Sequence, residues 1–212
     1  MIVYGSSISP FVRKTLAYIS EKGLTVEVKQ PGLRSQDPEF REASPFGKMP
    51  GFRDGDFTIA DSTAIITYLE AKHPEPCLLS AEPKARARTI WYEEFSDTIL
   101  VAAMGKMFFN RVVAPKFLGQ QGDLAAADKA EKEELPPLLD YIEKVLPASG
   151  FLVEDRLTLA DIAVASPFVN LAHMGISVNA STHPKLAAFV DKILARPSFA
   201  PLVAAEKAFF GS

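Results

Sequence analysis

The sequence predicts two domains of different class, an α/β domain at residues 1–76 and an all-helical domain at residues 84–212. Short β-type runs alternate with helical patterns in the first third of the chain. The motif HPEP at 73–76 and Pro83 interrupt both patterns, because proline removes a backbone donor, and they indicate a linker at 77–83. Beyond it, apolar residues recur at helical spacing without a strand pattern.

The first domain contains an ordered series of predicted strands and helices. They lie at residues 2–4, 11–22, 26–28, 37–43, 51–53, 57–60 and 61–72. The runs IVY and VEV flank a helix that starts after Ser9, so this βαβ unit places the two strands parallel. Asp54-Gly55 between two β-type runs predicts a tight hairpin. The resulting order, β-α-β-α-β-β-α, is that of a thioredoxin-like domain.

The second domain is predicted to be a helical bundle. The apolar residues at helical spacing include Trp91, Phe95, Ile99, Leu135, Leu139, Ile142 and Leu146. Pro136-Pro137 interrupts one of these helices, where we expect a kink or a restart. In LTLADI at 157–162, Thr158 and Asp161 resemble a capping box, with Asp in place of the usual Glu or Gln. Asp161 is therefore interpreted as structural rather than catalytic.

Composition and charge argue against several classes of function. The net charge is −3 and neither half of the chain is basic, so nucleic acid and anionic membranes are not expected partners. We expect neither a signal peptide nor a membrane span. The single cysteine, Cys77, excludes an intramolecular disulfide and a CxxC redox pair, and the histidines show no metal-ligand spacing. A metal-free protein of the cytoplasm is the expectation.

Candidate functional residues lie in separate segments of the first domain, at Ser9-Pro10-Phe11, residues 47–50 and Asp61-Ser62. Each segment has a structural interpretation. Ser9 is an N-cap residue followed by proline at the first helical position, and Asp61 is an N-cap residue for the next helix. The order and spacing of the segments, rather than any one of them, indicate a function.

Together these segments resemble the glutathione S-transferase family over nearly the whole chain. SPFVRK at 9–14 is most similar to tau-type and omega-type members, in which serine or cysteine precedes Pro-Phe, and the serine-type site is also similar to zeta-type and bacterial members. PFGKMP at 45–50 resembles the cis-proline turn of the family, and IADSTAIITYL at 59–69 resembles its glutathione-binding helix. The resemblance implies an enzyme with glutathione as its co-substrate.

The implied catalytic residue is Ser9. A free thiol has a pKa of about 8.5, so glutathione is mostly protonated at neutral pH. A hydroxyl that donates a hydrogen bond to the sulfur stabilises the thiolate, and a helix N-terminus adds to the effect. Because a hydroxyl can donate one bond and accept others, Ser9 is expected to cap its helix as well. Ser6 is the alternative, since it matches the serine of zeta-type members.

The resemblance also implies which residues bind glutathione. They are Lys48, Met49, Pro50, Asp61, Ser62 and Asp97. A cis Pro50 would turn the backbone of Met49 toward the cysteinyl unit, with Lys48 on the glycyl carboxylate. Ser62 at a helix start would bind the γ-glutamyl carboxylate, and the ammonium group would pair with Asp61. Asp97 lies where some members reach across a dimer interface toward that ammonium.

The second substrate requires an apolar pocket beside the sulfur. Val101, Gly105 and Phe108 share one helical face, with Met104 next to them and Phe11 contributed by the first domain. Glycine in a helix interior costs about 1 kcal/mol against alanine, and room for a ligand would explain it. The alternative is that these residues form the core of the bundle.

The predicted function is detoxification by transfer of glutathione to a small hydrophobic electrophile, in a homodimer. A glutathione-dependent isomerase or dehalogenase is an alternative, as is a non-catalytic transferase-like binding or interaction protein. Retention of Ser9, Lys48 and Asp61-Ser62 argues against a pure scaffold. A glutaredoxin-like function would need cysteines where Ser9 and Val12 stand.

Overall fold

The computed structural model describes residues 1–211, which divide into two compact units. Met1–Leu78 and Pro197–Glu206 make up the first unit. The second contains Leu79–Arg196 and the remaining C-terminal residues. Residues 197–206 therefore lie in the first unit, whereas the predicted domain boundaries assign them to the helical domain. Hydrogen bonds to the first helix explain their place in the first unit, since the Ser198 hydroxyl donates to the Glu21 carboxylate and the Glu206 carboxylate accepts from Arg13.

The first unit has the order of elements that the sequence predicts, and the thioredoxin-like fold is confirmed. Its elements are β1 (Ile2–Tyr4), α1 (Pro10–Glu21), β2 (Glu27–Lys29), α2 (Pro38–Ala43), β3 (Gly51–Asp54), β4 (Phe57–Ala60) and α3 (Ser62–Lys72). The sheet order is β2-β1-β3-β4, with β1 parallel to β2 and antiparallel to β3. β2 is shifted by one residue from the predicted VEV run, because its bounds follow its register with Ile2–Tyr4.

The hairpin between β3 and β4 is confirmed. Asp54 pairs with Phe57, and Gly55 has a φ of +64°, a conformation that glycine adopts without steric cost. Tyr68 on α3 stacks on Phe57, with ring centroids 4.6 Å apart, and donates a hydrogen bond of 2.9 Å to the Asp54 carboxylate. These contacts attach α3 to the hairpin.

The second unit is helical, and within residues 79–211 no strand is present. Its helices are α4 (Pro83–Glu94), α5 (Val101–Phe108), α6 (Ala114–Phe117), α7 (Leu124–Lys129), α8 (Leu135–Val145), α9 (Leu159–His173) and α10 (Pro184–Leu194), while α11 (Ala200–Phe210) begins in the first unit and ends in the second. No helix in residues 1–211 has both the length and the apolar character needed to cross a membrane.

The predicted restart at Pro136-Pro137 is confirmed, since α8 begins at Leu135 after a π-helical turn at Ala130–Glu134. The Leu135 N–H donates to the Ala130 carbonyl, which is the longer hydrogen bond of a π-helix. The two prolines have no N–H to continue the α-helical pattern, so the helix changes its hydrogen bonding just before them.

The structural interpretation of Asp161 is supported by its contacts at the start of α9. Its buried carboxylate accepts hydrogen bonds from the Leu152 N–H at 2.8 Å, the Thr158 N–H at 2.8 Å and the Thr158 hydroxyl at 3.1 Å. Burial raises the pKa of Asp161 to about 6, against the opposing effect of these hydrogen bonds. The carboxylate thus ties the loop before α9 to the first turn of the helix.

Candidate functional site

Ser9 occupies the N-cap position of α1, with extended backbone at φ −72° and ψ 126°. Its carbonyl accepts from the Arg13 N–H at 2.9 Å, which begins the helix. The prediction that the Ser9 hydroxyl caps α1 is wrong, because that side chain makes no capping hydrogen bond. The half-buried hydroxyl has no hydrogen-bond partner within residues 1–211 and remains able to donate to a ligand.

The loop before Ser9 is a tight turn held by hydrogen bonds of its own backbone. The Ser9 N–H donates to the Ser6 carbonyl at 3.0 Å, and the Ile8 N–H donates to the Ser6 hydroxyl oxygen at 3.4 Å. Ser6, the alternative catalytic residue, therefore uses its hydroxyl oxygen as an acceptor inside this turn. The bond that closes the turn at Ser9 is made by the backbone carbonyl of Ser6 and does not depend on the Ser6 side chain.

The predicted cis bond between Met49 and Pro50 is present in the structure. Lys48, just before it, is exposed, and its carbonyl accepts from the Ser44 hydroxyl at 2.7 Å. The Pro50 carbonyl accepts from the Asp61 N–H at 3.3 Å, which continues the β3–β4 pairing by one step. The sheet thereby brings the cis-proline turn next to the start of α3.

Asp61 and Ser62 lie at the N-terminus of α3. The Asp61 carboxylate accepts from the N–H groups of Thr63 at 2.9 Å and Ala64 at 3.0 Å through the same oxygen, Oδ1. Asp61 is exposed and has a φ of +80°, an unusual conformation for a residue other than glycine. Ser62 is the first helical residue and its side chain is buried, at 2% exposure. Capping by Asp61 and anion binding at Ser62 are compatible, because they use different groups.

Gly5 is a residue of the site that sequence reasoning missed. Its φ is +150°, and a Cβ built on it would lie 2.6 Å from Val12 Cγ2 and 3.3 Å from Met49 Cβ. Only glycine allows the end of β1 to approach both the first turn of α1 and the cis-proline turn so closely. The structure thus brings Met49 close to the helix that Ser9 begins. A glycine directly after a strand and before a helix start is the signal that could have found it.

Arg41 was also missed. Its guanidinium lies against Gly47, where a Cβ would be 2.9 Å from Nη1. Nε donates to the Ser35 carbonyl at 2.9 Å and Nη1 to the Pro45 carbonyl at 3.3 Å. Arg41 therefore supports the turn that carries Lys48 from within the first unit. Its sequence position on the short helix α2 gave no sign of this role.

The predicted pocket residues of the second unit have different exposures. Val101 and Gly105 are half-buried, and a Cβ on Gly105 would lie 3.3 Å from Val101 Cγ1. Met104 and Phe108 are buried, at 1% and 6% exposure, which favours the core interpretation for these two. Asp97 is half-buried in the π-helical turn that precedes α5.

Phe11, the pocket residue predicted from the first domain, lies in the first turn of α1 and is half-buried. Within residues 1–211, His, Cys, Asp and Glu side chains form no group of three or more that could hold a metal ion. The groups that lie at the starts of α1 and α3 are hydroxyl groups, backbone N–H groups and the Asp61 carboxylate.

Family models and related proteins identify the family to which this site belongs. The glutathione S-transferase N-terminal domain model matches residues 3–77, and the corresponding C-terminal domain model matches residues 108–205. A glutathione S-transferase of Hyoscyamus muticus is 34% identical, over 96% of this chain and 97% of that protein. The chain belongs to the glutathione S-transferase family. It is accordingly an enzyme of the transferase class with glutathione as co-substrate.

Solved structures of other family members have the same fold. A glutathione S-transferase from Rhodospirillum rubrum superposes with a TM-score of 0.86 at 27% identity, covering 95% of this chain and 90% of that one. Another, from Methylobacterium radiotolerans in complex with glutathione sulfonate, has a TM-score of 0.77 at 27% identity, with coverages of 95% and 93%. Each of these two glutathione S-transferase chains therefore matches residues of both units of this chain.

Proposed function

We propose that this glutathione S-transferase ionises the thiol of glutathione at Ser9 and transfers the thiolate to a small hydrophobic electrophile. The observation that carries the proposal is the Ser9 hydroxyl, which lies at the N-terminus of α1 with no hydrogen-bond partner in residues 1–211. A donating hydroxyl and the positive end of a helix both favour the charged form of a sulfur placed there. Ser9 then activates the nucleophile without becoming covalently bound.

The rest of the co-substrate would extend from Ser9 along the edge where the cis-proline turn and α3 meet. The backbone of Met49 at the cis bond would pair with the cysteinyl unit, and Gly5 holds that backbone near α1. Ser62 would bind the γ-glutamyl carboxylate at the start of α3, as helix N-termini bind anions. Asp61 would face the ammonium group, and the exposed Lys48 would reach the glycyl carboxylate.

For the electrophile we propose the half-buried Val101 and Gly105, which lie one turn apart on α5, as pocket lining. Apolar side chains suit the small hydrophobic compounds that react with a thiolate. Conjugation, isomerisation and dehalogenation all begin with attack by the glutathione thiolate, so the identity of the electrophile decides which of these reactions occurs.

We further propose a homodimer that works in the cytoplasm. Phe46, on the turn before Lys48, is 89% exposed, and Trp91 on α4 is 51% exposed. Exposed aromatic side chains of this size are typical of protein interfaces. A second copy of the chain would cover them, and Asp97 would then reach the ammonium of the neighbouring co-substrate.

Ser9→Ala tests the proposal. The variant is expected to raise the pKa of bound glutathione by about one unit, equivalent to about 1.4 kcal/mol, and to slow conjugation at neutral pH by about tenfold. Its affinity for glutathione should change much less, because the lost bond favours the ionised sulfur rather than docking. Thiolate absorbance against pH and conjugation rates with aryl halides and isothiocyanates measure both effects.

Two further variants identify the serine and separate transferase from redox chemistry. Ser6→Ala is the matched control and should change neither quantity. Ser9→Cys should form a mixed disulfide with glutathione and gain thiol-transfer activity, because a cysteine at a helix N-terminus has a lowered pKa. If Ser6→Ala loses activity while Ser9→Ala keeps the thiolate pKa and the conjugation rate of the parent protein, Ser6 is the catalytic residue.

A further inference from the structure

A buried ion pair joins the first helix of the first unit to its C-terminal segment. Arg13 on α1 and Glu206 on α11 have side chains with 0% and 2% exposure. Arg13 Nε donates to Glu206 Oε1 at 3.0 Å, and Nη2 donates to Oε2 at 2.7 Å. The pair is thus bidentate, the geometry in which a guanidinium is most strongly held by a carboxylate.

The same arginine donates hydrogen bonds to the backbone carbonyls of Ile8 and Ser9. Arg13 Nη2 lies 3.5 Å from the Ile8 carbonyl oxygen, to which it donates. The Arg13 backbone N–H donates to the Ser9 carbonyl at 2.9 Å. Consequently, one side chain connects Glu206 to the turn that carries the catalytic hydroxyl.

Stability alone is a weak reason for this arrangement. A buried ion pair must offset the loss of hydration of both charges, and apolar residues of similar size often stabilise a fold as well or better. What the pair adds is a defined geometry, since the planar guanidinium has its two bonds to Glu206 and one toward Ile8 in fixed directions. The turn needs such support because no side chain caps α1.

We propose that Arg13, held by Glu206, is a positioning residue that keeps the Ser9 hydroxyl directed at the sulfur of glutathione. The proposal rests on the proposed function of Ser9. Through this pair, residues 197–206 at the far end of the chain become part of the machinery that sets the thiolate pKa. The Arg13 side chain acts through the backbone carbonyl of Ile8, the residue before Ser9, and touches no substrate.

Arg13→Lys and Glu206→Asp test the proposal, because both keep the charges and change only the geometry. Each variant is expected to raise the pKa of bound glutathione by about one unit. Each should lower kcat by about tenfold with less than about threefold change in KM for glutathione, since small displacements of a positioned group are costly. The double variant should be no worse than the poorer single variant, as expected for two residues that act as one unit.

Ser198→Ala is the matched control. The Ser198 hydroxyl donates to Glu21 Oε1 at 2.5 Å, so it also attaches the C-terminal segment to α1, but at the end of the helix far from Ser9. It should lower the melting temperature without moving the thiolate pKa. Lys207→Gln, an exposed change next to Glu206, should affect neither.

The outcomes separate this inference from the proposed function. A normal thiolate pKa and kcat in Arg13→Lys and Glu206→Asp, with the expected loss in Ser9→Ala, would show that the pair only stabilises the fold. A Ser198→Ala variant that shifts the thiolate pKa equally would show general loosening rather than positioning. If Ser9→Ala changes neither the thiolate pKa nor kcat, the proposed role of Ser9 is wrong, and the positioning role of Arg13 is rejected with it. If Arg13→Lys does not fold, Glu206→Asp alone decides.

Discussion

Two residues of the first unit that lie beside the proposed glutathione site, Asp61 and Gly5, adopt backbone conformations that most side chains avoid. Asp61 has a φ of +80° and Gly5 a φ of +150°. Asp61 tolerates its conformation because its short carboxylate bonds to the next N–H groups, and Gly5 because it has no Cβ. Strained positions that cluster in this way are typical of sites where backbone groups must face a ligand.

Ser62→Ala is expected to weaken glutathione binding by about 1–3 kcal/mol, the cost of a lost hydrogen bond to a charged group. The side chain is buried at the first position of α3, where the γ-glutamyl carboxylate is proposed to bind. Titration calorimetry measures the affinity, with Thr67→Ala on the exposed side of α3 as the matched control. Equal affinity of both variants would remove Ser62 from the binding site.

Among the elements, α9 shows how one buried carboxylate organises a helix start. Asp161 accepts hydrogen bonds from Leu152 and Thr158, so the loop and the helix are joined by a single side chain. Its pKa of about 6 in the folded protein lies above the ordinary value of 3.8. The folded chain therefore binds a proton more tightly than the unfolded chain does, and stability falls as the pH rises through this interval.

Asp161→Ala is expected to lower the free energy of unfolding by about 1–3 kcal/mol, because the buried N–H groups of Leu152 and Thr158 lose their acceptor. The difference from the parent protein should be larger at pH 5 than at pH 7, since only the parent loses stability as Asp161 ionises. Urea unfolding at the two pH values measures it. A difference that grows with pH would mean that the hydrogen bonds lower the carboxyl pKa more than burial raises it.

The whole molecule is expected to be a dimer of about twice the 23.1 kDa of the chain. Phe46→Ala should weaken dimerisation by about 2 kcal/mol or more, because large aromatic anchors dominate interface energies. Leu124→Ala is the control, since Leu124 on α7 is also exposed, at 56%, and is not proposed for the interface. Sedimentation at micromolar concentration measures the association. A parent chain that sediments only as monomer would reject the dimer and the role of Asp97 in it.

The sequence by itself determined the two-part fold and the family. Strand and helix periodicities, the hairpin at Asp54-Gly55 and the break at Pro136-Pro137 are local signals, since each depends on the conformational preferences of adjacent residues. The segments at Ser9, Met49-Pro50 and Asp61-Ser62 have local preferences that indicate only helix starts and a turn, and it was their combined resemblance to the glutathione S-transferase family that indicated a function. Their order along the chain was enough to indicate a glutathione site.

Only the tertiary structure decided which groups of those segments are engaged and what supports them. The Ser9 hydroxyl does not cap α1, whereas Asp61 does cap α3, although serine and aspartate are both common N-cap residues. Gly5 lies against Val12 and Met49, and Glu206 pairs with Arg13. Such contacts join residues far apart in the sequence, in the case of Arg13 and Glu206 by 193 positions. No local preference encodes them, because packing of the folded chain alone brings these atoms together.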